Sequence, residues 1–483
     1  MSATAHEYEP VIGLEIHVQL STRTKMFCSC ALSFGDPPNE HTCPVCLGLP
    51  GTLPVVNARA IHFGIRIGLA LGCEIAPRSL FHRKNYFYPD LPKGYQISQY
   101  DVPLCRGGHL GDVRVHRVHL EEDAAKLVHV GESGRIHGSD SSVVDFNRGG
   151  TPLVEIVSEP DIRSAAAARE WLTLLRTTLR QLGVSDVNME EGSLRCDANV
   201  SLRPAGSATF GTKTELKNMN SFRFIERGIE AEIIRQEALL VAGEPVVAET
   251  LHFDPQSGRI SSLRSKEEAH DYRYFPEPDL VPLVVTDALL ARAEAGLPEL
   301  PAARAERYET ELGLDPDRAR QLAFRVELGD FYERALDPSD GLTVPGDARV
   351  LANWVGDDLV REIGDRDPAT TPLAPDALRA LVGMVQAREV SRDGARQVLG
   401  RLVAEGGDPR AVVAAEGLGA VGGEDALLPA VRAALEAQPE VAAKIRAGQT
   451  KAIGAIIGHV MRETKGRADG GEVRRLVRAE LGL

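Results

Sequence analysis

The chain has 483 residues, 43% of them hydrophobic, and a formal net charge of −14. This length is too great for a single hydrophobic core and predicts roughly three domains. The acidic balance argues against general nucleic-acid affinity, because phosphates repel an acidic surface unless basic groups are concentrated locally. No apolar run reaches the length of a membrane span, and residues 1–8 lack the features of a signal peptide. We therefore expect a soluble cytoplasmic protein without membrane contact.

The composition changes near residue 290. Before it, alternating strand-like segments surround two helix-like runs that begin after Ser164 and Ser221 and end at Gly183 and Gly243. After it, Ala, Leu, Arg and Glu dominate, as is typical of helices. These patterns predict an α/β domain with a mixed or antiparallel sheet (1–292), an all-α helical domain (293–405) and a small all-α tail domain (406–483).

The segment 11–20 has the alternation of a half-buried strand. Its even-numbered residues from 12 to 20 are apolar, whereas Glu15, His17 and Gln19 are polar. Successive side chains of a strand point to opposite faces, so these three polar residues share one face. A face with Glu, His and Gln favours a metal or acid–base site, although an ordinary solvated strand can carry the same residues.

Carboxylates recur in three other segments. A second alternating strand presents Arg195, Asp197 and Asn199 on one face, and the acidic triplet 121–123 follows another strand-like run. Glu155 lies within an apolar strand, where an unpaired carboxylate would be costly and therefore needs a partner. The triplet alone is also typical of a solvated turn. Several strand carboxylates with one histidine are a suitable ligand set for Mg²⁺ that neutralises phosphates.

Four of the seven cysteines, Cys28, Cys30, Cys43 and Cys46, lie within nineteen residues. Two close cysteine pairs supply the four thiolates of a tetrahedral zinc site. Such a site would be structural, because no coordination position remains open for chemistry. A metal-free reduced loop and an iron–sulfur cluster are the alternatives.

Two aromatic and basic runs, 83–90 and 271–279, suit phosphate contact and stacking on an adenine or ribose. The chain has no P-loop motif, so any nucleotide would be bound without one. Residues 441–483 contain nine Lys and Arg against four Asp and Glu, which makes the tail locally basic. The tail therefore has the local positive charge that binding to an RNA backbone requires.

Together these motifs resemble the GatB family, the B subunits of bacterial glutamyl/aspartyl-tRNA amidotransferases. The resemblance implies an N-terminal cradle domain with a kinase/transamidase site, a helical domain and a tail domain that grips tRNA. The stretches that carry it are 11–18, RKNYFYPD at 83–90, 96–99, 120–124, 150–161, 190–199 and 271–279, with 451–454, 458–461 and 464–466 in the tail.

The resemblance also implies an activity, that of an ATP-dependent carbon–nitrogen ligase with glutamine as amido donor. ATP phosphorylates the side-chain carboxylate of mischarged Glu-tRNA(Gln) or Asp-tRNA(Asn), and ammonia then displaces phosphate. The implied cofactors are ATP, Mg²⁺ and a structural Zn²⁺. The implied partners in a heterotrimer are the family's amidase (glutaminase), which is the A subunit, and the small C subunit. Consistent with a separate amidase, the chain has no Gly-Ser-Ser type amidase nucleophile.

Site residues follow from the resemblance, position by position. The implied catalytic and Mg²⁺-binding residues are Glu15, His17, Glu122, Glu155 and Asp197, with Glu122 also near the ammonia outlet. The sequence does not decide whether Glu121 or Glu122 points into the site. We assign ATP binding to Arg83, Lys84, Tyr86, Arg195 and Asn199, and tRNA binding to Lys451, Lys465 and Arg467.

Two other functions fit parts of the sequence. The first is a non-catalytic zinc-bearing tRNA-binding adaptor, whose tail binds tRNA while a partner performs the chemistry. The second is a metal-dependent nuclease, because clustered carboxylates also hold paired divalent ions. Whether Gln-tRNA or Asn-tRNA is the physiological product depends on the accompanying mischarging synthetase and cannot be read from this chain.

Overall fold

The computed structural model describes residues 8–130, 139–265, 272–336, 348–364, 366–419, 424–464 and 467–483. Backbone contacts divide the chain into two units between Leu300 and Pro301. The first unit combines a large sheet with helices, and the second is helical. The predicted fold class, an α/β part followed by helices, is confirmed. The finer domain boundaries at residues 292 and 405 stay predictions.

The described residues of the first unit form seventeen strands and four helices. The strands are β1 (Tyr8–Gln19), β2 (Glu74–Ile75), β3 (Arg78–Ser79), β4 (His82–Asn85), β5 (Tyr95–Ser98), β6 (Cys105–Arg106), β7 (His109–Leu110), β8 (Val113–Glu122), β9 (Lys126–Val130), β10 (Ser141–Asp145), β11 (Pro152–Ser158), β12 (Leu194–Pro204), β13 (Thr214–Met219), β14 (Glu249–Asp254), β15 (Arg259–Ser265), β16 (Phe275–Pro276) and β17 (Leu283–Val284). The helices are α1 (Ala58–Ala70), α2 (Ala165–Gln181), α3 (Phe222–Val241) and α4 (Asp287–Glu294).

The main sheet has ten strands in the order β15-β14-β13-β12-β1-β11-β8-β6-β2, with β7 paired to β8. All neighbours are antiparallel except β13 and β14. Three small sheets accompany it: β9 with β10, β16 with β4 and β5, and β17 with β3. The first strand of the chain therefore lies in the middle of the sheet, between β11 and β12.

The two faces of β1 differ as the sequence alternation predicts. Ile12, Leu14, Ile16 and Val18 are buried in the core of the first unit, together with apolar residues of α1, α2 and α3. Burial of each such side chain stabilises the fold by about 1.5–3 kcal/mol. The helices thus cover one face of the sheet, and the polar side chains of β1 occupy the other face.

The two helices predicted from their capping serines are also confirmed. Ser164 Oγ accepts a hydrogen bond from the Ala167 amide at 3.1 Å before α2, and Ser221 Oγ accepts one from the Phe224 amide at 3.2 Å before α3. These bonds satisfy amides that have no partner inside the helix. After each helix comes a glycine with positive φ, Gly183 and Gly243, where other residues would be strained.

The second unit is built from helices around two separate hydrophobic clusters, one formed by residues between 305 and 418 and one by residues between 427 and 477. None of the helices in the described ranges is long and apolar enough to cross a membrane. The α-helices are α5 (Pro301–Thr310), α6 (Pro316–Ala323), α7 (Val326–Leu336), α8 (Ala348–Asn353), α9 (Val360–Ile363), α10 (Pro375–Gln386), α11 (Arg392–Glu405), α12 (Pro409–Glu416), α13 (Glu424–Ala437), α14 (Pro439–Arg446), α15 (Ile453–Glu463) and α16 (Gly470–Leu481).

Candidate active site

The antiparallel register of the central strands brings distant polar residues together. On β1, Glu15 lies opposite Asp197 of β12, and His17 lies opposite Glu155 of β11. On the next strand, His119 of β8 lies opposite Glu155. Because opposite residues of paired strands point to the same face, residues more than one hundred positions apart share one surface.

Five of these residues form what we call the carboxylate–histidine cluster: Glu15, His17, His119, Glu121 and Glu155. The Nε2 atom of His17 lies 3.4 Å from a Glu155 oxygen, 3.7 Å from Glu121 and 4.0 Å from Glu15. The Nε2 atom of His119 lies 3.3 Å from Glu155 and 3.7 Å from Glu121. His17 thus lies among three carboxylates, and His119 lies between two of them.

Burial and charge shift the pKa values of this cluster. Burial raises the pKa of Glu15, and repulsion by Glu155 raises it further. Burial lowers the pKa of His119, but attraction by Glu155 and hydrogen bonds to Glu121 and Glu155 outweigh it and raise the pKa to about 9. Burial raises the pKa of Glu155, yet the two histidines bring it well below its usual value. The cluster therefore favours positive charge.

The donor atoms of the cluster fit a divalent cation. One oxygen or nitrogen from each of Glu15, His17 and Glu155 lies within 4.8 Å of the others, and the same holds for His119, Glu121 and Glu155. Glu155 belongs to both groups. Carboxylate oxygens predominate, and these are the ligands that Mg²⁺ prefers. The cluster is therefore a candidate magnesium site.

A cavity of about 360 Å³ opens beside the cluster. Its walls carry His17, Glu121 and Asp197 together with three basic residues, Lys84, Arg195 and Lys217. Tyr86, Asp90, Gln96, Asp123, Asn218 and Tyr272 complete its polar lining. One cavity therefore holds both cation-binding acids and anion-binding bases, the combination that a phosphoryl-transfer site needs.

The basic residues of the cavity keep their charge through nearby acids. Lys217 Nζ lies 2.5 Å from Asp197 and 3.0 Å from Glu215, and Arg195 donates to Asp123 at 2.9 Å. Burial lowers the pKa of Lys84, but Glu121, Tyr274 and Glu155 attract its ammonium and raise the pKa above the usual value. These cations are therefore charged at neutral pH.

Glu122, which the sequence assigned to the site, lies outside the cluster. Adjacent side chains of β8 point to opposite faces, so Glu121 joins the cluster and Glu122 points away from it. Glu122 forms an ion pair with Lys93 and accepts a hydrogen bond from the Ile97 amide at 3.0 Å. It lines a second, smaller cavity of about 80 Å³ that also contains Lys25, Cys28 and Cys46.

The residues assigned to ATP binding divide into two groups. Lys84, Tyr86 and Arg195 line the larger cavity. Arg83 and Asn199 do not, within the part of the chain that the structure describes. Arg83 forms two hydrogen bonds of 2.7 Å with Glu277 and lies over the Tyr95 ring at 4.3 Å.

Sequence reasoning missed His119 and Lys217. His119 had a usable signal, because it precedes Glu121 by two residues in an alternating strand and therefore shares its face. Lys217 had none. Its strand pairs with β12 at a register shift between Cys196 and Ala198, next to Asn218, whose φ of 63° is left-handed. Such local irregularities are seen in structures but are not encoded by any simple spacing.

The four neighbouring cysteines form what we call the cysteine knuckle, residues 28–46. One sulfur from each of its four cysteines lies within 4.8 Å of the others. A hydrogen bond from Cys28 is the largest cause of a lowered pKa for Cys46, about 4. The donor set of four close thiols, one already favouring the thiolate, fits a tetrahedral metal such as zinc.

The residues assigned to tRNA binding lie in the second unit. Lys451 is exposed in a short 3₁₀-helix over Thr450–Ala452. Arg467 is half-buried and donates through Nε to the Thr464 carbonyl at 3.1 Å. Lys465 lies outside the described residues.

Comparison with family models shows which class of protein the chain resembles. Residues 10–291, which contain the carboxylate–histidine cluster and both cavities, match the family described as GatB/GatE catalytic domain. Residues 342–481 match the family described as GatB domain. The first unit therefore matches a catalytic domain, which disfavours the alternative of a non-catalytic adaptor.

Full-length relatives give the family. The chain is 49% identical over 487 residues to the B subunit of aspartyl/glutamyl-tRNA(Asn/Gln) amidotransferase from Anaeromyxobacter dehalogenans, which covers 99% of both proteins. It is 50% identical to the protein of the same name from Frankia casuarinae, over 99% of this chain and 96% of the relative. It is 48% identical to the protein of the same name from Moorella thermoacetica, over 98% of this chain and 100% of the relative. The chain belongs to the GatB family.

Proposed function

We propose that this chain is the carboxylate-activating subunit of an aspartyl/glutamyl-tRNA amidotransferase. It uses ATP to phosphorylate the side-chain carboxylate of Glu-tRNA(Gln) or Asp-tRNA(Asn), and it then transfers ammonia to the activated acyl group. The observation that carries the proposal is the cavity in which His17 and Glu121 of the carboxylate–histidine cluster meet three basic residues. The full-length relatives named for this activity support it.

The order of the chemistry follows from leaving-group ability. A carboxylate resists ammonia because its oxygen leaves poorly, so its oxygen first attacks the γ-phosphorus of ATP and ADP departs. Ammonia then attacks the acyl carbon, phosphate leaves and the amide forms. Glu15, Glu121 and Glu155 would hold Mg²⁺, which when bound neutralises charge on the transferred phosphoryl group. Asp197, beside Glu15, completes the acidic wall and fixes Lys217.

The other walls of the cavity suit the remaining parts of ATP. Lys84, Arg195 and Lys217 would orient phosphates, because fixed cations stabilise negative charge that spreads during phosphoryl transfer. Tyr86 and Tyr272, whose rings lie 6.3 Å apart, would contact the adenine or ribose. Arg83 would act indirectly, since its contacts with Glu277 join two of the segments that form this region.

We assign the ammonia route to the smaller cavity. Glu122 and Lys93 form an ion pair on its wall, on the opposite side of β8 from Glu121. A carboxylate there can accept a hydrogen bond from ammonia and take the proton that amide formation releases. Neighbouring residues of one strand would in this way serve the two successive steps.

The proposal requires partners. Ammonia would come from the amidase, the A subunit of the heterotrimer, assembled with this chain and the small C subunit, because the chain shows no glutaminase nucleophile. The basic tail, with Lys451, Lys465 and Arg467, would bind tRNA. The cysteine knuckle would hold a structural Zn²⁺.

The decisive experiment reconstitutes the complex with the amidase and small subunits of the same genome. Each mischarged tRNA is supplied separately with glutamine, and Gln-tRNA or Asn-tRNA is measured with and without ATP. We expect ATP-dependent amidation that Glu155→Gln lowers at least 100-fold. The matched control is Glu159→Gln, a half-buried carboxylate that follows the same strand and pairs with His116. Amidation without ATP, or full activity of Glu155→Gln, would contradict the proposal.

A further inference from the structure

Lys25 is a buried lysine beside the cysteine knuckle. Only 1% of its surface is exposed. Its Nζ lies 3.7 Å from the Cys46 sulfur and donates to the Phe146 carbonyl at 3.0 Å. Across the described ranges, no carboxylate forms an ion pair with Lys25. A buried ammonium is costly unless an anion compensates it, and the thiols of the knuckle are the adjacent groups able to supply negative charge.

A zinc ion bound by four thiolates also requires a nearby positive charge. Four thiolates around a divalent zinc carry a net charge of −2, which is costly to bury without nearby donors or cations. Lys25 adds one positive charge at Cys46. Gly150 keeps the site compact, because a side-chain carbon there would meet Lys25 at 3.3 Å in addition to the strain of its φ of +87°.

Lys25 lies between the knuckle and the loop 144–151. Besides the contact of Lys25 with Phe146, five hydrogen bonds between residues that the structure describes join the knuckle to this loop. Among them, the Asn39 amide donates to Asp145 at 3.1 Å and the His41 amide donates to Asn147 at 2.8 Å.

The far end of the loop continues toward the active site. The Met26 amide donates to the Gly150 carbonyl at 2.7 Å, and the Gly150 amide donates to the Asp123 carbonyl at 2.8 Å. Asp123 lines the larger cavity and binds Arg195. Hydrogen bonds and the backbone of Lys25, Met26 and Gly150 between them therefore connect the knuckle to a wall of the catalytic cavity.

We infer that Lys25 is the counter-cation of the metal centre in the cysteine knuckle and one of the residues that tie this centre to the loop 144–151. Lys25 is thus a positioning residue of the metal centre. The inference rests on the zinc assignment within the proposed function and is independent of the amidation chemistry. Groups that surround metal ligands typically change metal affinity 10–100-fold when they are removed.

The test measures metal binding by the full chain. Zinc affinity is determined by competition with a chelator for the wild type and for Lys25→Gln, Lys25→Met and Lys25→Arg. The matched control is Lys213→Met, at an exposed lysine elsewhere in the same unit. We expect affinity 10–100-fold weaker in the Gln and Met variants, rescue by Arg, and no change in the control.

A spectroscopic readout separates this role from simple packing. In the Co²⁺-loaded chain, loss of the ammonium at Cys46 should shift the thiolate-to-cobalt charge-transfer band, and Arg should restore it. If Lys25→Met does not fold, Lys25→Gln decides, because it keeps an N–H donor without the charge. Zinc affinity of Lys25→Gln within fivefold of the wild type would overturn the inference, as would a wild-type chain that binds no zinc. Either result would leave the amidation test standing.

Discussion

The carboxylates of Glu121 and Glu122 point to opposite sides of β8, so that two adjacent residues line two different cavities. Glu121 contacts His17 and His119, whereas Glu122 pairs with Lys93. In the proposed reaction, phosphoryl transfer would take place in the first cavity and ammonia would arrive through the second. The strand between them would then separate the ammonia route from the phosphoryl-transfer site by the thickness of one backbone.

This arrangement predicts different defects for the two residues. Glu121→Gln should lower phosphoryl transfer at least 100-fold, because the cation loses a ligand. Glu122→Gln should lower amide formation much more than phosphoryl transfer. The measurement is ADP release and amidated tRNA from one reaction of the reconstituted complex. Equal losses of both products in the two variants would contradict the separation of the half-reactions.

The raised pKa of His119 predicts a pH dependence of stability. Because the folded-state pKa is about 9 and the ordinary value is 6.5, protonated His119 stabilises the metal-free fold fully below pH 6.5. This contribution, about 3 kcal/mol at its largest, should disappear as the pH rises from 6.5 to 9. The lowered pKa of Glu155 acts oppositely, with stability lost as the pH falls below 4.5.

Urea unfolding of the full chain in a metal chelator at pH 6 and pH 9 measures this effect. The chain has two tryptophans, so Trp354→Phe leaves Trp171 of α2 to report on the first unit. In that background, the first unit should lose more stability between the two pH values than the matching His119→Gln variant. Parallel losses in both chains would assign the pH dependence to other groups.

Loss of the knuckle metal should loosen the segment 33–40, whose residues are all exposed and whose only large hydrophobic side chain is Phe34. Cys46→Ala should bind less than a tenth of the zinc bound by the wild type and be cleaved in this segment at least tenfold faster by protease. Elemental analysis and mapping of the cleavage sites measure both effects. Cys73→Ala, at an isolated buried thiol, is the control and should keep its metal.

Charge reversal in the tail should weaken tRNA binding. Lys451→Glu and Arg467→Glu each remove one expected phosphate contact, so each should reduce the slope of log affinity against log salt by about 1. Filter binding of tRNA by the assembled complex between low and moderate salt gives this slope. Lys213→Glu, in the first unit, controls for the change in net charge. An unchanged slope in the tail variants would remove Lys451 and Arg467 from the tRNA-binding surface.

Local periodicity in the sequence predicted much of the structure. The faces of β1, the caps of α2 and α3 and the grouping of the four cysteines all follow from spacings of a few residues, which the sequence displays directly. The choice between Glu121 and Glu122 did not, because it depends on the register between β8 and β11. The partner of Arg83 is Glu277, 194 residues away, and Lys217 reaches the cavity beside an irregular register. Such long-range pairings and bulges are fixed only by the complete fold.

β1 is hydrogen-bonded along both of its edges, to β11 and to β12. Displacing Glu15 or His17 would require breaking a ladder on each side, so the acidic residues are held rigidly before any substrate arrives. Entry and departure of a molecule as bulky as an aminoacyl-tRNA end must then depend on the rim. There Tyr86 and Tyr272 come from separate stretches of chain that pair with each other through β4 and β16, in a small sheet outside the main one. Rate-limiting product release would accordingly respond to changes at this rim and not to changes in the strands.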